Sequence, residues 1–316
     1  MTFKITARKL LITVGATVMV ALGFWLFTQP PAPKVVMPTP NGFHDYLQAA
    51  LALHRVDDLE GIRTNAVSLG AYLSDNREAM RFIRLGLTRE SRVSYPLDKN
   101  YIQRRIQEKW WNIRKAGTLL EFEGRLAELE GRTNDAANAY LDFIRFSHEA
   151  YRGGPLIDAM IGFACEIQAI RPFAKLVPGL SANECRASIA ILDQIESHRE
   201  PVEDVLSNER IWSKHNASLR ETFLVLIPSN EARQLRASRT AFVDNNLSRR
   251  RAMLRVEVEL ASRAFQLTNN RPPANVEELV PGLLRTLPTD PATHERLTLD
   301  KISVIKLDMH TMPPEF

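Results

Sequence analysis

Residues 102–127, IQRRIQEKWWNIRKAGTLLEFEGRLA, decide how this chain reads. Ile102, Ile106, Trp110, Ile113, Gly117, Leu120, Gly124 and Ala127 recur at steps of four or three, which places them on one face of an α-helix. Two positions of that face are glycine, so a neighbouring helix can come close there. Gly131 ends the pattern, and Asn134 or Asp135 can cap a second helix running through Ala136, Tyr140 and Phe143 to about Ala150. The apolar spacing is helical nearly throughout from Phe43 to Phe146. The expected fold is therefore mainly α, an irregular body of packed helical hairpins.

Toward the C-terminus, Arg152-Gly153-Gly154-Pro155 interrupts the helices. Gly-Gly allows a sharp reversal, and Pro155 suits the first turn of a helix through Leu156, Ala159, Phe163 and Ile167. The alternative reading is an anion held at that helix start beside Arg152. Pro172 and Pro178-Gly179 are expected to close the segment, and Ser181 to Glu184 reads as a capping box that opens the next helix. A long helix is expected from Ser229 to about Thr268, interrupted at Asp244-Asn245-Asn246, with its many arginines forming a solvated face paired to acids such as Glu257 and Glu259. Asn275 should cap a short helix, LPTDP (residues 287–291) should turn, and residues 297–307 alternate as one or two short strands do. The tail is thus expected to be small and α+β.

Toward the N-terminus, Leu10 to Phe27 contains no charged residue. At ~1.5 Å per residue an 18-residue helix spans about 27 Å, close to a hydrocarbon core of ~30 Å. Lys4, Arg8 and Lys9 precede it, so residues 1–9 are expected in the cytoplasm and the rest of the chain outside it, on a single-pass anchor in the inner membrane. A cleaved signal peptide cut near Ala21 to Gly23 is the other reading. Residues 28–42 carry five prolines and read as an extended stalk. A helical domain over 43–228 and a long helix with its tail over 229–316 complete the expected organisation.

The chain has 316 residues, with 41 Lys+Arg against 37 Asp+Glu and a net charge of +4. Four basic residues, Lys4, Arg8, Lys9 and Lys34, precede Asn41 and no acid does, which leaves 37 of each sign from Asn41 onward. A neutral outer part argues against nucleic acid as a partner.

Three resemblances stand out along the chain. Leu126 to Phe146 resembles a tetratricopeptide-type hairpin, with Gly131 and Ala136 at the crossing, and Ala71 to Leu87 is a weaker echo. Residues 131–170, through Gly131, Ala136, Asp142, Arg152, Gly153, Gly154, Leu156, Ile157 and Asp158, resemble uncharacterised single-span helical proteins of planctomycete-like bacteria. Residues 264–299, through Leu279, Pro281, Leu287, Pro288, Asp290 and Pro291, are similar to the tails of type II secretion pseudopilins, with Arg271-Pro272-Pro273 where those tails carry Gly-x-Tyr-Pro. These resemblances imply an anchored helical protein with a borrowed tail, and they bring no catalytic residue.

The seven histidines include no His-x-x-x-His, and no cysteine pair has zinc spacing, so neither a metal nor another cofactor is expected. Glu121 and Glu123 are neighbours in sequence that point different ways on a helix, which suits a surface rather than proton sharing. Cys165 and Cys185, the only cysteines, stand late in one helix and early in the next; they are either bridged or two buried thiols. The expected function is a membrane-anchored interaction or scaffold module that binds another protein without catalysis. The alternatives are an accessory of a pseudopilin-type secretion system and a hydrolase.

Overall fold

Asn41 starts the folded body: its side chain accepts from the Phe43 amide at 3.1 Å and so caps α1 (Gly42–Ala52). The computed structural model describes residues 14–20, 23, 36–54, 59–93, 111–216 and 230–307. Asn41 also bonds both backbone groups of Arg92, at 2.8 and 3.0 Å. The last two residues assigned to the stalk, Asn41 and Gly42, therefore belong to the body; residues 28–35 lie outside those described.

After α1 come α2 (Leu59–Arg63), α3 (Ala66–Asp75) and α4 (Arg77–Leu87). Asn65 caps α3 through the Val67 and Ser68 amides. The hairpin read from the sequence is α5 (Trp111–Leu129) with α6 (Thr133–Glu149); Ile102, Ile106 and Trp110 lie outside the described residues. Its two glycines do what the apolar face required. A Cβ on Gly117 would stand 2.2 Å from the Phe146 ring, and one on Gly124 would stand 2.8 Å from the Tyr140 ring. Gly131 turns the chain at φ +73°, which an L side chain rarely adopts. Neither Asn134 nor Asp135 caps α6, because the helix already begins at Thr133 and its N-cap position is Arg132, which bonds the Asp135 carboxylate at 2.6 Å.

Then come α7 (Leu156–Leu176), a 3₁₀ turn over Val177–Gly179, α8 (Ala182–Ser197), α9 (Val202–Asn216) and α10 (Asn230–Asn269). The expected capping box opens α8: the Ser181 amide donates to Glu184 at 2.8 Å, and the Glu184 amide to the Ser181 hydroxyl at 3.3 Å. Pro172 does not end α7, which continues four residues beyond it. The backbone bond lost at proline is outweighed by Ile170 and Phe173, both fully buried on either side of it.

The break expected at Asp244-Asn245-Asn246 is absent; α10 runs unbroken for 40 residues. Asn245 and Asn246 face inward, and Asn246 accepts from Arg249 at 3.3 Å instead of capping a new helix. The solvated arginine face holds in part: Arg233, Arg236 and Arg250 are exposed and Arg255 pairs with Glu259 as expected, but three of the arginines also make tertiary contacts. Arg249 is wholly buried, Arg251 forks onto Asp290, and Arg255 bonds Glu259 and the Ile305 carbonyl. These three side chains rivet α10 to its neighbours.

The tail is not α+β. A 3₁₀ turn, Val276–Leu279, is capped by Asn275, and residues expected as strands contain α11 (Leu299–Ser303), capped by Thr298. Among the described residues the sole strand pairing is one isolated bridge between Thr289 and Arg296. Alternation alone makes no strand when the neighbouring element is a helix, because the ladder has no partner. Ile302 instead buries against the body at 2% exposure.

The helices pack in a connected series: α4 on α1, α1 on α5, α5 on α6, α6 on α7, α7 on α10 and α10 on α8. One apolar core extends from Phe43 to Ile302, so the parts expected on either side of residue 228 share it. A smaller cluster joins α7, α9 and α10 through Phe163 stacked on Phe242, 5.3 Å between centroids. Among the described residues no helix is long and apolar enough to cross a membrane. Of the expected anchor, residues 14–20 are helical, with Val14, Met19 and Val20 exposed, and most of the remainder lies outside the described residues.

Candidate functional site

Two depressions meet at Arg171 and Lys175 near the end of α7. The first, about 600 Å³, is polar and lies over α5, α6 and α7. Glu121 accepts there from Gln168 and from Arg63 at 3.4 Å, and Glu128 accepts from the Tyr140 hydroxyl and from Arg125 at 2.8 Å. Burial first, and then the bond to Glu128, push the Tyr140 phenol well above its ordinary pKa. Tyr140 thus stays protonated and serves as a hydrogen-bond donor. Glu121 and Glu123 do point different ways, since Glu123 pairs with Arg84 of α4.

The second depression, about 860 Å³, runs between the end of α7, the C-terminal part of α10 and residues 299–307. Ala174, Val177, Val258 and Ile302 give it an apolar floor, and among the described residues Arg171, Lys175, Arg255 and Arg263 surround it with a single acid, Glu259. Arg171 donates to the Leu307 carbonyl at 2.8 Å and Arg255 to that of Ile305 at 2.6 Å, so the tail forms a fixed wall. Arg263 reaches the Leu180 carbonyl at 3.4 Å, and Lys175 is exposed.

A largely buried charge network joins α7, α8 and α10. Glu166 of α7 accepts from Arg199 at 2.8 Å and from Arg249 at 3.1 Å, and Glu196 of α8 accepts from Arg199 at 2.8 Å and from Arg249 at 3.2 Å. Two cations thus face two carboxylates. Burial acts to raise the Glu196 pKa, but Arg249 and Arg199 outweigh it and hold that carboxyl far below its usual range. The sequence signal was present. Glu166 sits three residues after Phe163 and four before Ile170, an acid on an otherwise apolar face.

On the other side of α8 and α10 the tail turn closes a cavity of about 270 Å³ that contains Glu257 together with Asp193 and Glu196. Burial, then the charges of Glu196 and Asp193, push Glu257 up to about 8. Two carboxylates with opposite shifts on one cavity resemble an acid–base pair. Glu196 and Glu257 stand on different helices, which left them out of reach of any motif. Neither His nor Cys lines the cavity. His148 bonds Glu149 at 3.2 Å beside a space of about 40 Å³, room for a water and no substrate. No group of three His, Cys, Asp or Glu among the described residues is placed to hold a metal.

The residues singled out from the sequence fall in separate places. Gly131 and the fully buried Ala136 shape the α5–α6 hairpin. In the α6–α7 turn, Arg152 pairs with Glu90 at 3.7 Å, Gly153 has φ +75°, and Gly154 lies against Asp158. No cradle for an outside anion is open there, because the protein's own carboxylates hold the amides: Gly153 donates to Glu200 and Leu156 to Glu209, each at 3.0 Å. In the tail, Asp290 accepts from the Ala292 amide at 2.8 Å and the Thr293 amide at 3.1 Å while Arg251 grips it, and Pro288 and Pro291 line the Glu257 cavity. Cys165 and Cys185 are buried and unbonded, so the bridge is not formed. No family model matches the chain, and neither a curated protein nor a solved structure matches it.

Proposed function

We propose that this is a membrane-anchored helical protein whose folded body stands outside the cytoplasm and binds another protein without performing chemistry. The uncharged run from Leu10 to Phe27 and its basic flank support the anchor and its orientation. The observation that carries the binding reading is the pair of joined grooves over α5, α6, α7 and α10. Their carboxylates are engaged by neighbouring side chains, no histidine or cysteine stands among the described lining residues, and the one carboxylate near the lining serines Ser262 and Ser303, Glu259, is held by Arg255. Rigid walls and engaged polar groups suit recognition.

A photo-crosslinking side chain placed at Lys175 in the native cell tests this, with one at the exposed Val67, away from both grooves, as control. A discrete protein adduct from position 175 and none from 67 is expected; no adduct from 175 or from Arg125 rejects the reading. Reporter fusions at Glu295 test orientation: a periplasmic reporter should be active and a cytoplasmic one silent. Recovery of secretion-platform components with the adduct would favour the secretion accessory. The Glu196–Glu257 pair favours a hydrolase as second reading, held second because 270 Å³ is below the ~300 Å³ at which ligand sites begin.

A further inference from the structure

We infer that the groove between the end of α7, α10 and residues 299–307 receives an acidic amphipathic segment of the partner protein, apolar side down. This rests on the protein-binding reading above and adds the partner's chemistry. The folded part carries equal numbers of basic and acidic residues, so a local excess of one sign is a built feature of the surface. Among the described residues four cations surround this groove against one acid, and that acid, Glu259, is already held by Arg255 at 2.6 Å. Lys175 and Arg263 have no carboxylate partner among the described residues, whereas Arg125 and Arg63 of the adjoining depression are paired with Glu128 and Glu121, so the excess belongs to this groove. A partner carrying carboxylates there gains attraction and orientation from this field, an effect that salt weakens.

The floor determines the other half of the match. Ala174, Val177, Val258 and Ile302 form an apolar strip walled by α10 and by residues 305–307, whose carbonyls are fixed by Arg255 and Arg171. A segment with apolar residues at helical spacing lays that stripe into such a strip and turns its carboxylates to the cations at the edges. The groove is an open trough. An acyl chain lying in it would keep much of its surface in water, whereas a peptide presents a polar side outward.

The test uses the full chain in nanodiscs of zwitterionic lipid and a fluorescent 16-residue probe peptide with leucines at i, i+3, i+4 and i+7 and glutamates elsewhere. The expected results are saturable binding, at least ~5-fold weaker binding by Lys175→Glu, further weakening between low and high salt, and no binding of the probe with lysines in place of glutamates. Lys175 is exposed and makes no recorded bond, so its replacement leaves the fold intact. Equal binding by wild type and Lys175→Glu, or none by either, overturns the inference. Phosphatidylglycerol vesicles that bind wild type and spare Lys175→Glu, while the peptide binds neither, would overturn it in favour of lipid. If the peptide fails while a crosslinker at 175 still yields a protein adduct, the partner has other chemistry and the protein-binding reading stands.

Discussion

Arg249 of α10 donates to Glu166 of α7 at 3.1 Å with neither side chain open to solvent, the arginine at 0% and the glutamate at 1% exposure. The pair joins residues 83 positions apart. It lies over the Phe163 ring, 5.5 Å from the guanidinium, so charge and aromatic packing locate α10 at the same point. Arg249 remains charged there. Burial works to lower its pKa, and the two carboxylates more than reverse that.

Removing one member of this network leaves the others buried and underpaired. Arg249→Ala should cost roughly 3–5 kcal/mol in urea unfolding, because Glu166 would keep Arg199 alone. Arg250→Ala, which alters an exposed neighbour 3.9 Å from Glu196, should change stability by less than about 1 kcal/mol. Equal effects of the two substitutions would contradict the network.

Glu257 gives the pH dependence its sign. Its pKa rises from an ordinary 4.5 to about 8 in the folded chain, so the unfolded chain releases the proton first. The stability it contributes is complete below pH 4.5, declines as pH rises, and is lost once pH passes 8. The total is at most about 5 kcal/mol. Glu257→Gln should therefore melt like wild type near pH 4 and increasingly above it toward pH 8. Parallel melting curves across that range would remove Glu257 as the cause.

The two thiols should be silent in the folded protein. Burial pushes Cys165 up to about 12 and raises Cys185, so neither supplies thiolate near neutral pH. Alkylation of unreduced protein should label no cysteine when folded and two after unfolding. Two unlabelled cysteines after unfolding would mean that a disulfide forms after all.

Close approach of α5 and α6 depends on glycine. Gly117→Ala puts a methyl group 2.2 Å from the Phe146 ring, and Phe146 is fully buried with nowhere to move. A loss of about 1–3 kcal/mol is expected, although alanine is the better helix former. Gly70→Ala in α3, with its nearest neighbour at 4.0 Å, should be neutral or mildly stabilising. Thermal melts of the two variants read the difference directly.

Arg251 holds the tail turn through Asp290, at 2.8 and 2.9 Å. That bond, the largest influence on it, lowers the Asp290 carboxyl to about 2 against the opposing effect of burial, so the fork should persist to about pH 3 and be lost below it. Asp290→Asn should speed proteolytic cleavage within residues 286–296 at neutral pH and leave cleavage of the α5–α6 hairpin unchanged. Uniform acceleration across the chain would show global unfolding instead.

Local patterns along the chain were enough to determine the helical body, the α5–α6 glycine seam, the turn at Gly131, the capping box at Ser181 and the cap at Asn275. Each depends on neighbours within a turn or two, and a 3.6-residue period records which face is buried. Tertiary structure decided the rest. Residues 297–307 alternate like a strand yet lie beside α10, which offers no ladder, so they coil into α11. Asn245 and Asn246 look like a helix stop, but the buried Arg249 gives Asn246 a bond that keeps α10 whole. Whether an arginine faces water or Glu166, and whether four cations gather around one groove, depends on which helices meet. Those meetings join residues tens of positions apart, and the chain's periodicity contains no record of them.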